Sequence, residues 1–238
     1  YPYVSGSTRI LCENFADLAI ESIQMLRLKP QDLVVDIGSN DGTLLSNFHE
    51  RGVRVLGVEP TNAGKLALKR GIPTEIEFFS ASAVRRLKQK YGQAQLITAA
   101  NVFAHIGGVH GVVEGILDWL GPRGVFISES HYLLSLIETL QYDTIYHEHL
   151  RYYSVGSLAK LFELHGMEIF HVKKIPSHGG SIRLYAARKG EYERKESVDE
   201  FLRNENAAGL TDGGALKTFR QKVLQSKLVE ASNSNTNT

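Results

Sequence analysis

Reactive side chains are most concentrated in Tyr142-Asp143-Thr144-Ile145-Tyr146-His147-Glu148-His149, followed by Arg151-Tyr152-Tyr153. Near neutral pH histidine is the natural general base, and a neighbouring carboxylate can orient its ring and raise its basicity. A tyrosine hydroxyl is suited to donate a hydrogen bond to an enolate oxygen as charge develops on it. Two other readings compete. Alternating His147 and His149 can ligate a metal from one strand face, with a third ligand from His131, His178 or Asp143. The His-Glu-x-x-His spacing of helical zinc sites is absent, however, and no metal is expected. The cluster can also be polar packing on a mobile lid.

A second group of residues suits a ligand rather than a reaction. Asp36-Ile37-Gly38-Ser39-Asn40-Asp41-Gly42 follows a predicted strand and opens a predicted helix. Gly38 allows a tight turn that brings backbone amides close to a ligand. The dinucleotide fingerprint Gly-x-Gly-x-x-Gly is missing, because Asn40 stands where the second glycine belongs, and a pyrophosphate would meet a side chain. Glu59, before Pro60, ends the next strand, where a carboxylate can accept hydrogen bonds from both ribose hydroxyls. Turn and acid together suit an adenosine without a pyrophosphate. Taken singly, Asp36 reads as a helix-cap or turn acid and Glu59 as an exposed strand-end acid.

Short apolar runs alternating with helical patterns must position these groups. Strands are expected at 33–37, 53–58, 74–76, 96–100 and 124–128, with helices at 43–51, 62–70, 80–91 and 109–120 between them. Nearly continuous apolar strands argue for a parallel sheet covered on both faces, with its ligand crevice at the C-terminal strand ends. A helix at 154–165 and strands at 167–172 and 181–187 complete the sheet. Upstream, Leu11, Phe15, Leu18, Ile23 and Leu26 recur at helical spacing and stop before Pro30. Beyond Gly190 the pattern turns charged and helical: Ser197 and Glu200 have capping-box spacing, and Leu216, Phe219, Val223 and Leu224 form a later stripe. The polar tail 232–238 is expected to be disordered. No internal repeat is present.

The Asp36 turn, the strand-terminal Glu59 and the later strands together resemble the class I S-adenosylmethionine-dependent methyltransferases. That resemblance implies an α/β fold, a Rossmann-like, mostly parallel seven-stranded sheet with helices on both faces and a C-terminal helical extension. It sets Asp36 near the methionyl amine and the Gly38–Asp41 turn under S-adenosylmethionine. Ala100, Asn101, Val102 and the residues to His105 would line its other side. The expected division is 1–30 extended segment and helix, 31–190 methyltransferase domain, 191–231 start of a C-terminal lobe, and 232–238 tail.

The run Tyr142–Ser154, the block His178-Gly179-Gly180-Ser181-Ile182-Arg183 and the opening Tyr1–Ser5 resemble the nucleotide-sugar C-methyltransferases of deoxysugar pathways. Those enzymes methylate C3 of a nucleotide-linked 4-keto-deoxysugar. The resemblance makes His149 the base that removes the C3 proton, with Tyr146 and Glu148 binding or polarising the sugar and its enolate. It makes Tyr142, His147, Arg151, His178 and Arg183 substrate contacts. His178 also reads as part of a plain turn before a strand. His105 and His131 default to packed or solvent-facing roles, and His110, His165 and His171 to structural ones. Two features depart from the family: Cys12 stands alone where a cysteine-rich zinc lobe is usual, and the C-terminal lobe is short. A start at Tyr1-Pro2-Tyr3-Val4 without methionine reads as a processed boundary, and the chain as a fragment or a shortened relative.

Composition narrows the rest. Hydrophobic residues at 42% and charged residues at 22% exclude disorder of the whole chain. Lys plus Arg at 27 against Asp plus Glu at 26 removes the usual electrostatic case for nucleic acid. No apolar stretch approaches the ~20 residues of a membrane span, and no basic-then-apolar signal opens the chain. A single cysteine allows no internal disulfide. The expectation is a cytoplasmic enzyme, a monomer or weak homodimer, that meets a nucleotide sugar rather than nucleic acid or membrane.

Overall fold

A computed structural model of the chain describes residues 5–235, with the side chains of Ser7, His178 and 229–235 outside the description. Along the chain come α1 (Arg9–Leu26), β1 (Leu33–Ile37), α2 (Thr43–His49), β2 (Arg54–Val58), α3 (Ala63–Lys69) and β3 (Thr74–Glu75). They are followed by α4 (Ala81–Tyr91), β4 (Ala94–Ala100), α5 (Val109–Trp119), β5 (Leu120–His131) and α6 (Leu133–Glu138). The last elements are α7 (Val155–Glu163), β6 (Met167–Ile175), β7 (Ser181–Arg188), α8 (Glu196–Ala207) and α9 (Gly214–Asn235).

The strands form one sheet in the order β3-β2-β1-β4-β5-β7-β6. β1 to β5 pair in parallel, and β7 lies antiparallel between β5 and β6. All five residues of β1 are buried. Leu33, Val35 and Ile37 pack with side chains of α4, α5 and α7, whereas Val34 packs with those of α1 and α2. Two helical layers therefore explain why the strand run carries no polar alternation. β1 and β4 are neighbours whose connections leave in opposite directions, so the loops after them part and open a crevice.

Three expectations are corrected. β5 runs on to His131, because β7 pairs with it from Phe126 to His131 and holds it past Ser128. Ser197 caps nothing: Lys195 is the N-cap of α8, and the Ser197 hydroxyl bonds His171 Nδ1 at 2.8 Å. A reciprocal cap forms instead at Ser154 and Ser157, at the start of α7. Finally, α9 continues through Asn235, so 232–235 are helical and only 236–238 lie outside the described residues. No helix among the described residues is long and apolar enough to cross a membrane.

Candidate active site

Gly38 ends β1 at a φ of +68°, and a Cβ there would lie 2.6 Å from Val102 Cγ2. Only glycine lets the turn pass this close to the loop after β4. Asn40, also at positive φ, donates its backbone N–H to Glu59 Oε2 at 2.9 Å. Thr61 N–H donates to Glu59 Oε1 at 2.8 Å, so both carboxylate oxygens are fixed by backbone. Each oxygen keeps a further lone pair for a hydroxyl. The Asn40 side-chain oxygen accepts from the amides of Ser5 and Asp41. This ties Ser5 over the turn.

These groups line one end of a cavity of about 1470 Å³, whose other end carries Tyr146, Glu148 and His149. The Tyr146 hydroxyl lies 3.1 Å from His149 Nε2. His105 donates from Nδ1 to the Glu148 carbonyl at 2.9 Å, and its ring meets that of His149 edge-on with centroids 4.9 Å apart. Tyr146 is 43% exposed. Burial of the remainder, with Glu148 nearby, holds its phenol above the usual value. The site therefore brings together a phenol, an imidazole and a carboxylate, a set that can take a proton from carbon and stabilise the resulting oxyanion.

Pro60, Ala100, Asn101 and Val102 also line the cavity, as expected. Asp36 does not. It is buried beneath the turn, accepting from the Thr98 hydroxyl at 2.7 Å, and burial, reinforced by Glu59 and Glu129, pushes its carboxyl up to about 7. Asp41 is a correction: it accepts from Gly6 N–H, the Thr43 hydroxyl and Arg70, so it braces the turn from behind instead of facing the cofactor end.

Arg183 is the clearest correction. Its guanidinium is fully buried and binds Glu129 at 2.6 Å, Glu21 at 2.8 Å and Asp17 at 3.0 Å, which clamps α1 to the sheet and leaves nothing for a substrate. Burial holds the Glu129 carboxyl above the usual carboxylate value, and this guanidinium opposes that shift. Arg151 is likewise spent on the carbonyls of Ile106 and Gly107, where it braces the loop beside the cavity. Tyr142 and His147 stand outside the cavity wall; Tyr142 stacks under the Lys227 ammonium at 5.5 Å, and His147 meets the Tyr146 ring. The His178 side chain lies outside the described residues. His110 and His165 bond each other at 2.8 Å, away from the cavity.

Residues that sequence reasoning missed include Leu11 and Phe15 of α1, the Phe78-Phe79 pair, and Ser130 and Gln141. His131, whose default was a packed or solvent-facing role, also reaches the cavity, as does His105 at the end of the 100–105 segment. The adjacent Phe78 and Phe79 were a visible aromatic signal; an isolated serine or glutamine gives none.

A strand order of 3-2-1-4-5-7-6 with a crevice after β1, β2 and β4 defines a class I, Rossmann-like methyltransferase fold. A methyltransferase-domain family model matches residues 8–172, and a C-methyltransferase C-terminal-domain model matches 176–232. The chain belongs to the S-adenosylmethionine-dependent C-methyltransferase family. It is similar to the C-methyltransferase NovU of Streptomyces niveus, at 35% identity over 221 residues. That match covers 92% of this chain and 53% of the relative, so the chain spans about half the relative's length. Among solved structures, the magnesium protoporphyrin IX methyltransferase of Synechocystis superposes with a TM-score of 0.57 at 15% identity, over 75% of this chain and 83% of that one. An S-adenosylmethionine-dependent methyltransferase of Clostridium acetobutylicum gives 0.59 at 14%, over 78% and 94%. These two likenesses concern the fold.

Proposed function

We propose that the chain methylates carbon, at C3 of a nucleotide-linked 4-keto-deoxysugar, with S-adenosylmethionine as donor. The observation that carries this reading is the single cavity shared by the Gly38 turn and His149. Its volume of about 1470 Å³ exceeds the ~300–1,000 Å³ typical of one small-ligand site, as a donor and an acceptor together require. Gly38, Asn40 and Glu59 would hold the donor: the turn gives its backbone close approach and Glu59 offers lone pairs to the ribose. When bound, S-adenosylmethionine supplies an electrophilic methyl on a sulfonium, which a carbanion attacks without metal activation.

The chain's own residues prepare that carbanion. A C–H beside a ketone is acidic because its conjugate base spreads charge onto oxygen. His149 takes the proton, and Tyr146 donates a hydrogen bond to the developing oxyanion. Glu148 supports the sugar beside them. No lysine or arginine lines the cavity among the described residues, so the sugar enters and the diphosphate stays outside.

Replacing the base tests this. His149→Asn is expected to lower kcat by about 10²–10⁴-fold while S-adenosylmethionine affinity, read by calorimetry, stays within about twofold. Wild-type protein in deuterated water, with substrate and demethylated cofactor, should exchange the C3 hydrogen, and His149→Asn should not. Exchange at C5, the other carbon beside the ketone, would move the methylation site. Turnover with no exchange at either carbon would sink carbon methylation and favour an O- or N-methyl acceptor.

A further inference from the structure

The reaction end of the cavity has a second wall, which neither the base nor the tyrosine uses. It forms where β5 runs on beside β7, bringing Ser130 and His131 to the cavity, with Gln141 from the segment after α6. Ser130 is 3% exposed, and no group among the described residues partners its hydroxyl. A buried hydroxyl carries one donor and two acceptor positions, and such groups are normally satisfied. Nothing in the strand pairing requires a hydroxyl at this register position, opposite Ile182.

Its neighbour is held in one orientation. The Gln141 amide nitrogen donates to the Gly179 carbonyl at 3.0 Å and to the Thr139 hydroxyl at 2.5 Å. Its oxygen is thereby turned to accept from His131 Nε2 at 3.0 Å. Because an amide oxygen only accepts, His131 Nε2 carries the proton in this contact. The Gly179-Gly180 turn is shaped for this contact: a Cβ on Gly179 would overlap the Gln141 amide, and one on Gly180 would lie 2.7 Å from Ser135. The two glycines thus make room for the residue that sets His131.

The wall has a chemical preference. It carries the Ser130 hydroxyl and the His131 ring, and the cavity it lines holds the acids Glu59, Asp143 and Glu148 but no lysine or arginine among the described residues. Such a surface suits a neutral hydroxyl and disfavours a phosphate or carboxylate. We infer that Ser130, seated beside the oriented His131, is a specificity-determining residue that hydrogen-bonds a ring hydroxyl of the sugar while His149 and Tyr146 act on the neighbouring carbon and the ketone oxygen. This deepens the keto-sugar reading and rests on it.

Steady-state kinetics of Ser130→Ala on a nucleotide-linked 4-keto-6-deoxyhexose, and on its 2-deoxy and 3-deoxy analogues, tests the assignment. With the fully hydroxylated sugar, KM should rise about tenfold, as for one lost hydrogen bond, with a smaller change in kcat. For the analogue that lacks the bonded hydroxyl, wild type and variant should have equal KM. An unchanged KM for every sugar, or the same rise for all of them, would overturn the assignment; the second result would mark a structural role. S-adenosylmethionine affinity of the variant, measured separately, should match wild type. Wild-type protein that binds the donor yet turns over no keto-sugar nucleotide would overturn the functional reading and this wall with it. Wild-type turnover with an indifferent Ser130→Ala would overturn the wall alone.

Discussion

The two ends of the cavity are built from different materials. The turn after β1 is made of backbone: Gly38 at positive φ, the Asn40 amide, and a Glu59 whose two oxygens are fixed by main-chain N–H groups. The other end is made of side chains on the irregular segment 142–152, largely exposed and held by few bonds. Arg151 grips the carbonyls of Ile106 and Gly107, Tyr152 donates to the Thr144 carbonyl at 3.0 Å, and Leu150 N–H bonds Ala104 at 2.9 Å. Strand ends fix a binding turn rigidly because the sheet already satisfies their neighbours, whereas a loop can present diverse side chains at modest cost to the fold.

This contrast predicts separable failures. The largest effect should come at the turn. Gly38→Ala places a Cβ against Val102 and forces a non-glycine residue to positive φ, which costs ~1–3 kcal/mol. If that strain is relieved by opening the turn, S-adenosylmethionine affinity should fall by about ten- to a hundredfold in calorimetry, with a lower Tm. Undiminished affinity would mean that the turn does not hold the donor. Arg151→Ala should do the reverse: kcat drops about tenfold as the 106–107 loop loses its brace, while donor affinity stays within about twofold. A matched loss of both would show that the two ends are not independent.

A third effect concerns Asp36 beneath the turn. Its carboxyl is raised from 3.8 to about 7 in the folded chain, mainly by burial. Between those values the unfolded chain binds fewer protons than the folded one, so this group makes stability fall as pH rises from about 4 to 7. Its favourable contribution is complete below the unfolded value and gone above the folded one. Asp36→Asn should flatten that slope in urea unfolding at pH 5 and pH 8, and should raise stability most at the higher pH. A slope identical to wild type would mean that Asp36 is ionised in the folded protein.

The turn was legible from sequence because local rules govern it. A strand buried on both faces must be apolar throughout, and a chain that turns sharply at its end needs glycine there. The run from Tyr146 to His149 was legible because its residue types are reactive and adjacent. Arg183 misled for the opposite reason. Its position in a glycine-flanked block suggested a substrate contact, yet its partners Asp17, Glu21 and Glu129 come from a helix and a strand far away in the chain. Asp41 misled similarly, since Arg70 claims it from the end of α3. The reach of β5 to His131 was hidden because β7, which supports it, follows some fifty residues later.

By itself the sequence determined the layering, the approximate positions of the strands, the glycine bend and the reactive side-chain types gathered between Tyr146 and His149. Each depends on hydrophobic period, backbone freedom or side-chain chemistry, which neighbouring residues fix. Only the tertiary structure decided which charged groups are spent on the fold and which polar groups face the cavity. A guanidinium or a hydroxyl acquires its role from partners brought together by chain folding, and sequence spacing carries no record of those distances.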